Sequence, residues 1–231
     1  MVLLALLTSC RQVNTEQRTS TKSVREVDSY AETKGLNESM VTATKMDSIP
    51  NGWIDLGQAD SSFLLDIRYA TDNNFVSKIM YPCGRCILRS EAASPLIKLQ
   101  KELSKDDLGL KFFDCYRPSS VQQLLWDKVP DARYVTPPEK GSMHNRGVAV
   151  DLTLVRISTG EELPMGTEYD HFGIEAYHSY TDHSPKVHQN RTLLKSKMHS
   201  IGFKSIRTEW WHYSFTHGSF AKSNYIWDCQ E

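Results

Sequence analysis

The sequence predicts an α+β fold, a small and mainly antiparallel sheet with flanking helices, and three observations predict it. Short apolar runs of strand length recur at 110–116, 147–155 and 211–215. Between them stand segments whose apolar residues fall at helical spacing, most clearly 90–103. The run at 147–155 is apolar on both faces, which suits a strand in the middle of a sheet. Hydrophobic residues make up 39% of the 231 residues, enough for a real core.

The chain opens on the apolar run 2–7, closed by Thr8, Ser9 and Cys10. That run is far too short to span a bilayer. It reads as the end of a secretory signal. Leu7-Thr8-Ser9-Cys10 resembles a bacterial lipobox, in which the cysteine carries lipid, although no Lys or Arg precedes the apolar run. Residues 1–10 are therefore expected to be a signal remnant, with Cys10 as the lipidation site. Residues 11–48 are rich in Ser, Thr, Lys and Glu without a sustained apolar period, a tether composition. One folded domain is expected over 49–231. This places the protein in a bacterial cell envelope, held to the membrane by lipid alone and facing the periplasm or exterior. If the signal is not functional, the expectation is cytoplasmic.

Within the domain, 53–56 and 63–69 read as short strands or extended approaches. Ala93, Leu96, Ile97, Leu99 and Leu103 lie on one face of a helix over 90–103. A strand follows at 110–116. After Pro118, a helix over 119–126 is expected to open with serine caps. A helix over 191–200 closes at Gly202, and 211–215 is the last strand.

The formal net charge is −1 and no basic run is long, so nothing suggests a nucleic-acid surface. Setting Cys10 aside leaves Cys83, Cys86, Cys115 and Cys229. An even count in an exported protein fits two disulfides, with the pairing open. Cys83-Gly84-Arg85-Cys86 also admits redox or zinc-knuckle readings. The first needs a thioredoxin-like unit, which is absent. The second needs two more ligands, and Cys115 and Cys229 stand alone. Disulfides or packed thiols are expected.

Two runs carry the chemistry: Ser142-Met143-His144-Asn145-Arg146-Gly147-Val148-Ala149-Val150-Asp151 and Glu209-Trp210-Trp211-His212. They offer His, Asp and His with a spare Glu. That is the inventory of a catalytic zinc site with one open position and a carboxylate to take a proton from water. His144 and Asp151 are seven apart, so on one regular strand they would point to opposite faces. They converge only if His144 sits in the loop leading in and Asp151 on the strand, with Gly147 making the turn. Glu209 and His212 likewise require a turn entering a strand. His171, His178, His183, His188, His199 and His217 are expected to be solvated or hydrogen-bonded, with His178, His183 and His188 on a surface loop.

Ser-x-His-x-x-Gly-x-Ala-x-Asp followed by Glu-x-x-His resembles the M15 zinc peptidases, closest to the VanX-type D-alanyl-D-alanine dipeptidases. Asp66–Phe75, Asp114-Cys115-Tyr116-Arg117-Pro118, Met165–Phe172 and Glu209–Tyr213 agree in order. The resemblance implies one zinc ion per chain, held by His144, Asp151 and His212. It implies Glu209 as general base and Arg117 as the cation facing the developing oxyanion. It implies that Ser142 and Asp170 hold the amino terminus of a dipeptide, with Tyr69 as a further pocket residue. The implied activity is zinc-dependent hydrolysis of D-Ala-D-Ala in peptidoglycan turnover or glycopeptide resistance. A D,D- or L,D-carboxypeptidase trimming peptidoglycan stems, and a non-catalytic wall-binding lipoprotein, are the alternatives. The oligomeric state is left open.

Overall fold

In the computed structural model of the protein, residues 45–46 and 49–229 are described. Cys10, the expected signal remnant and nearly all of the expected tether lie outside them.

In chain order the elements are β1 (Lys45–Met46), β2 (Trp53–Asp55), α1 (Leu56–Ala59), β3 (Leu64–Leu65), β4 (Ile87–Arg89), α2 (Ser90–Leu103), β5 (Leu108–Asp114), α3 (Ser119–Lys128), β6 (Ala149–Arg156), α4 (Pro185–Ser200), β7 (Phe203–Ser205), β8 (His212–Phe215) and β9 (Ile226–Trp227). The main sheet runs β3-β5-β6-β8-β7. Within this sheet β3 and β5 pair in parallel and the other three pairs are antiparallel. Two small pairs stand apart from it, β1 with β9 and β2 with β4. The fold is α+β as expected, and β6 is the middle strand. All but its last residue are buried, as the two-faced apolar run requires.

Helix α2 spans the expected 90–103 and packs on β5. Ala92, Ala93, Leu96, Leu99 and Leu103 are each at most 1% exposed, an apolar stripe against the sheet. Gln100 lies among them with its amide satisfied: Nε2 donates to the Ser62 carbonyl, and Oε1 accepts the Leu110 amide. Burying that amide without partners would cost roughly 1–3 kcal/mol.

Four expectations are corrected. The strand expected over 63–69 shrinks to Leu64–Leu65 and is followed by a 3₁₀ turn at Arg68–Ala70. The Tyr69 carbonyl in that turn accepts the Met80 and Tyr81 amides, so the chain is drawn away from the sheet. The first serines of α3 do not cap it: the N-cap residue is Pro118, without a side-chain bond. The Ser119 amide and hydroxyl both donate to the Ser223 carbonyl, and the Ser120 amide donates to Asn224 Oδ1. The C-terminal segment thus supplies acceptors that the helix start lacks. Helix α4 begins at Pro185, six residues before the expected Arg191, behind a Ser184 cap that accepts the Val187 amide. Proline at the first helical position hides this start from apolar periodicity. Finally, His178, His183 and His188 are not one surface loop. His188 lies on α4, and burial holds the His178 imidazole down at about 4.

The cysteines pair Cys83–Cys229 and Cys86–Cys115. The first ties the chain's last segment to the loop before β4. That segment also receives the guanidinium of Arg146 on the Phe220 carbonyl and that of Arg89 on the Ala221 carbonyl. Closing a 146-residue separation removes a large share of unfolded-chain entropy. The double variant Cys83→Ser, Cys229→Ser is expected to lose about 2–5 kcal/mol of stability, read as a lowered urea midpoint without reductant. An unmoved midpoint would contradict the assignment.

Candidate active site

The site begins with strand register. Asp151 on β6 stands opposite His212 on β8, so the two side chains lie side by side on one face. On its other flank Asp151 stands opposite Asp114 of β5, and only because of a bulge. The pairs Leu110–Leu154 and Phe112–Leu152 predict Phe113 opposite Asp151. One extra residue in β5 puts Asp114 there instead. Three polar side chains thus form a row across the middle of a buried sheet, with Asp114 fully buried and Asp151 3% exposed.

His144 comes from the loop, as its spacing demands. It opens a 3₁₀ turn, His144–Arg146, that ends at Gly147 with φ +70°. A Cβ at Gly147 would also meet the Trp53 ring at 2.3 Å, so the position needs glycine twice over. The turn brings His144 Nε2 to 3.3 Å from Asp151 Oδ1 and 3.1 Å from His212 Nδ1. His212 Nδ1 is 2.9 Å from the same Asp151 oxygen.

The outward atoms of this trio are all engaged. His144 Nδ1 lies 2.7 Å from the Cys115 carbonyl, and His212 Nε2 lies 2.9 Å from Ser214 Oγ. A carbonyl can only accept, so His144 carries its proton on Nδ1; the same placement on His212 uses Ser214 as acceptor. Both inward nitrogens then present lone pairs. Tyr169 donates to Asp151 Oδ2, leaving Oδ1 to face inward. Burial opposes the charge on Asp151, yet without a metal protonated imidazoles at His144 and His212 would hold its carboxyl far below the usual range through charge and hydrogen bonds. Burial holds the His212 imidazole below its ordinary value. One atom from each of the three residues lies within 4.8 Å of the others. Two imidazoles and a carboxylate with oriented lone pairs and occupied outer atoms fit a divalent metal ion.

Around the trio lies a cavity of about 470 Å³. Arg117, Ser142, Asp170, Tyr69 and Glu209 all line it, so the structure gathers every residue singled out in the domain. Glu209 sits in the turn between β7 and β8. Burial pushes its carboxyl well above the usual range, helped by the charges of Asp151 and Asp170. Asp170 adopts φ +58°, a conformation that costs a non-glycine residue energy. Its carboxylate accepts the Tyr69 hydroxyl at 3.0 Å. Burial, then the charge of Asp151, pushes the Asp170 carboxyl up to about 7. Ser142 Oγ accepts the His144 amide and steadies the turn. Trp211 lines the cavity, whereas Trp210 is buried with its indole N–H on Thr167.

Arg117 is only 8% exposed and rigidly held. Its Nε and Nη2 donate to Asp114 Oδ2, and Nη1 donates to Gln122 Oε1. Asp114 is completed by the Tyr81 hydroxyl and the Cys115 amide on Oδ1. Sequence reasoning missed this supporting layer of Asp114, Gln122, Tyr169, Ser214 and the Cys115 carbonyl. Ser214 was within reach: two residues from His212 on a predicted strand, it must share its face. Tyr169 and Gln122 carry no such signal. The Cys83–Cys86 pair reaches the site through one member, because Cys86 is bonded to Cys115.

Comparison with known proteins agrees with this geometry. The family model for peptidase M15, described as D-ala-D-ala dipeptidase, matches residues 50–226. The chain is 36% identical over 162 residues to a D-alanyl-D-alanine dipeptidase of Escherichia coli, covering 69% of this chain and 82% of that protein. It is 33% identical over 168 residues to one of Enterococcus faecium, covering 64% and 83%. It is 32% identical over 183 residues to one of Enterococcus faecalis, covering 71% and 91%. The chain belongs to the peptidase M15 family of D-Ala-D-Ala dipeptidases.

Proposed function

We propose that the protein hydrolyses the dipeptide D-Ala-D-Ala with one zinc ion held by His144, Asp151 and His212. The observation that carries this reading is the meeting of those three donors, within 4.8 Å of one another, in the cavity that Glu209 and Asp170 also line. Two nitrogens and one carboxylate oxygen make the three-ligand set of a catalytic zinc centre. Zinc held there supplies Lewis acidity toward the peptide carbonyl and toward water.

The side chains divide the remaining work. The Glu209 carboxylate takes a proton from the attacking water and hands it to the nitrogen of the leaving D-alanine. The raised affinity of Glu209 for protons suits this transfer, and a divalent cation held beside Asp151 would oppose the shift. Arg117, locked on Asp114 and Gln122, keeps unspent N–H groups for the oxygen that becomes negative, and needs no reorganisation to offer them. Ionised Asp170, oriented by Tyr69, pairs with the substrate ammonium, with Ser142 beside it. Two methyl side chains give little apolar area, so such charge pairing supplies most of the binding.

We further propose that Cys10 is lipidated and that the domain works outside the cytoplasm. Two disulfides support an oxidising compartment. There the dipeptide arrives as a product of wall turnover.

The direct test is turnover of D-Ala-D-Ala and of its N-acetyl derivative by the metal-loaded protein. Hydrolysis of the first alone is expected; equal rates on both would favour a carboxypeptidase. Glu209→Ala should abolish turnover while the protein still binds one equivalent of zinc, and activity surviving complete chelation would refute the mechanism. Ser214→Ala frees the outer nitrogen of His212 and should weaken zinc binding about 10–100-fold, measured by competition with a chromophoric chelator. The kcat/KM profile should fall on the acid side as Asp170 gains its proton. The midpoint is expected at or below about 7, because a bound cation offsets the Asp151 charge that helps to raise it. Saturating substrate hides a binding group but not a base. The kcat profile should therefore lack this limb, and an identical limb in both would assign it elsewhere.

A further inference from the structure

Three arginines line the cavity: Arg117, Arg133 and Arg207. Two are already neutralised. Arg117 is paired with buried Asp114, and Arg133 is paired with Asp131 through Nε and Nη2. Arg207 has no carboxylate partner among the described residues. Its guanidinium lies over the face of Tyr177, with Cζ 4.8 Å from the ring centroid. Stacking on an aromatic face fixes the plane of a guanidinium and leaves its edge N–H groups free, the arrangement that receives a carboxylate through two parallel hydrogen bonds. The main chain at Arg207 is fixed separately, since its carbonyl accepts the His178 amide.

Position along the chain fits the substrate. Arg207 precedes Glu209 by two residues in the same turn, at most about 7 Å of chain. In a dipeptide the terminal carboxylate lies one residue, about 3.6 Å of extended chain, beyond the scissile carbonyl that Glu209 must face. Asp151, Asp170 and Glu209 line the pocket, and a carboxylate is disfavoured beside them. The amino end has Asp170; the opposite charge has no other unpaired receiver among the described arginines of the cavity.

We infer that Arg207 receives the C-terminal carboxylate of the dipeptide and so makes a free C-terminus a condition of turnover. This deepens the dipeptidase reading and rests on it. Arg207 is a specificity residue at the binding step, remote from the proton transfer.

The experiment is steady-state kinetics of the zinc-loaded protein on D-Ala-D-Ala and on D-alanyl-D-alaninamide, which lacks the carboxylate. Arg207→Ala should raise KM for the dipeptide about 10- to 100-fold, the range of a hydrogen bond to a charged group, with kcat within about threefold. For the amide, kcat/KM should stay unchanged, so the preference for a free carboxylate collapses. Arg207→Lys should recover part of it, as a charge without the fork. Equal losses on both substrates, or no loss on either, would overturn the inference while leaving the dipeptidase reading intact if wild-type protein cleaves D-Ala-D-Ala. Wild-type protein that cleaves neither substrate overturns both.

Discussion

The site depends on the register of three central strands. Asp114, Asp151 and His212 occupy one level of β5, β6 and β8. A one-residue slip of either pairing would send the neighbouring chain's polar side chain to the opposite face. The register is held by apolar burial on the face of β6 opposite Asp151, where Val150, Leu152 and Leu154 are fully buried. The bulge at Phe113 then spends one irregularity to bring a second carboxylate to the same level. It also lets Phe113 stack on Tyr169, whose hydroxyl reaches Asp151.

That second carboxylate divides the electrostatics of the pocket. Asp114 faces Arg117 and is matched in full, with both oxygens occupied. Losing one partner of such a buried pair costs about 3–5 kcal/mol, far more than a typical exposed pair is worth. Arg117 is therefore a fixed charge rather than a mobile one. Asp151, Asp170 and Glu209 are left to share a poorly solvated cavity, and burial and mutual repulsion push the last two toward their protonated forms. A cation bound at the trio would relieve that repulsion.

The outer layer ties this centre to the ends of the chain. The Cys115 carbonyl that orients His144 belongs to a residue cross-linked to Cys86. Asn145, next to His144, donates to the Arg117 carbonyl, and its own carbonyl accepts the Ser223 amide. Segments far apart in sequence therefore hold a single turn, and the C-terminal segment in particular completes both that turn and the start of α3.

Much of this was legible in the residues. The α+β class, the central place of 147–155 and the helix over 90–103 follow from apolar periodicity, which reports burial directly. The need for His144 in a loop and Asp151 on a strand follows from side-chain alternation, and Gly147 marks the turn. Periodicity is silent where a polar contact decides. The shortened strand after Phe63 and the displaced caps of α3 were set by partners further along the chain, whereas the proline start of α4 rests on a local Ser184 cap to which apolar periodicity is blind. By itself the sequence determined which groups could do chemistry and which segments would be buried, because both are properties of residue type and local spacing. Only the tertiary structure decided that Asp114 stands beside Asp151, that Arg117 is paired with a carboxylate while Arg207 has none among the described residues, and which cysteines pair. Those depend on strand register, on a bulge and on contacts that reach as far as 146 residues along the chain, which no local pattern encodes.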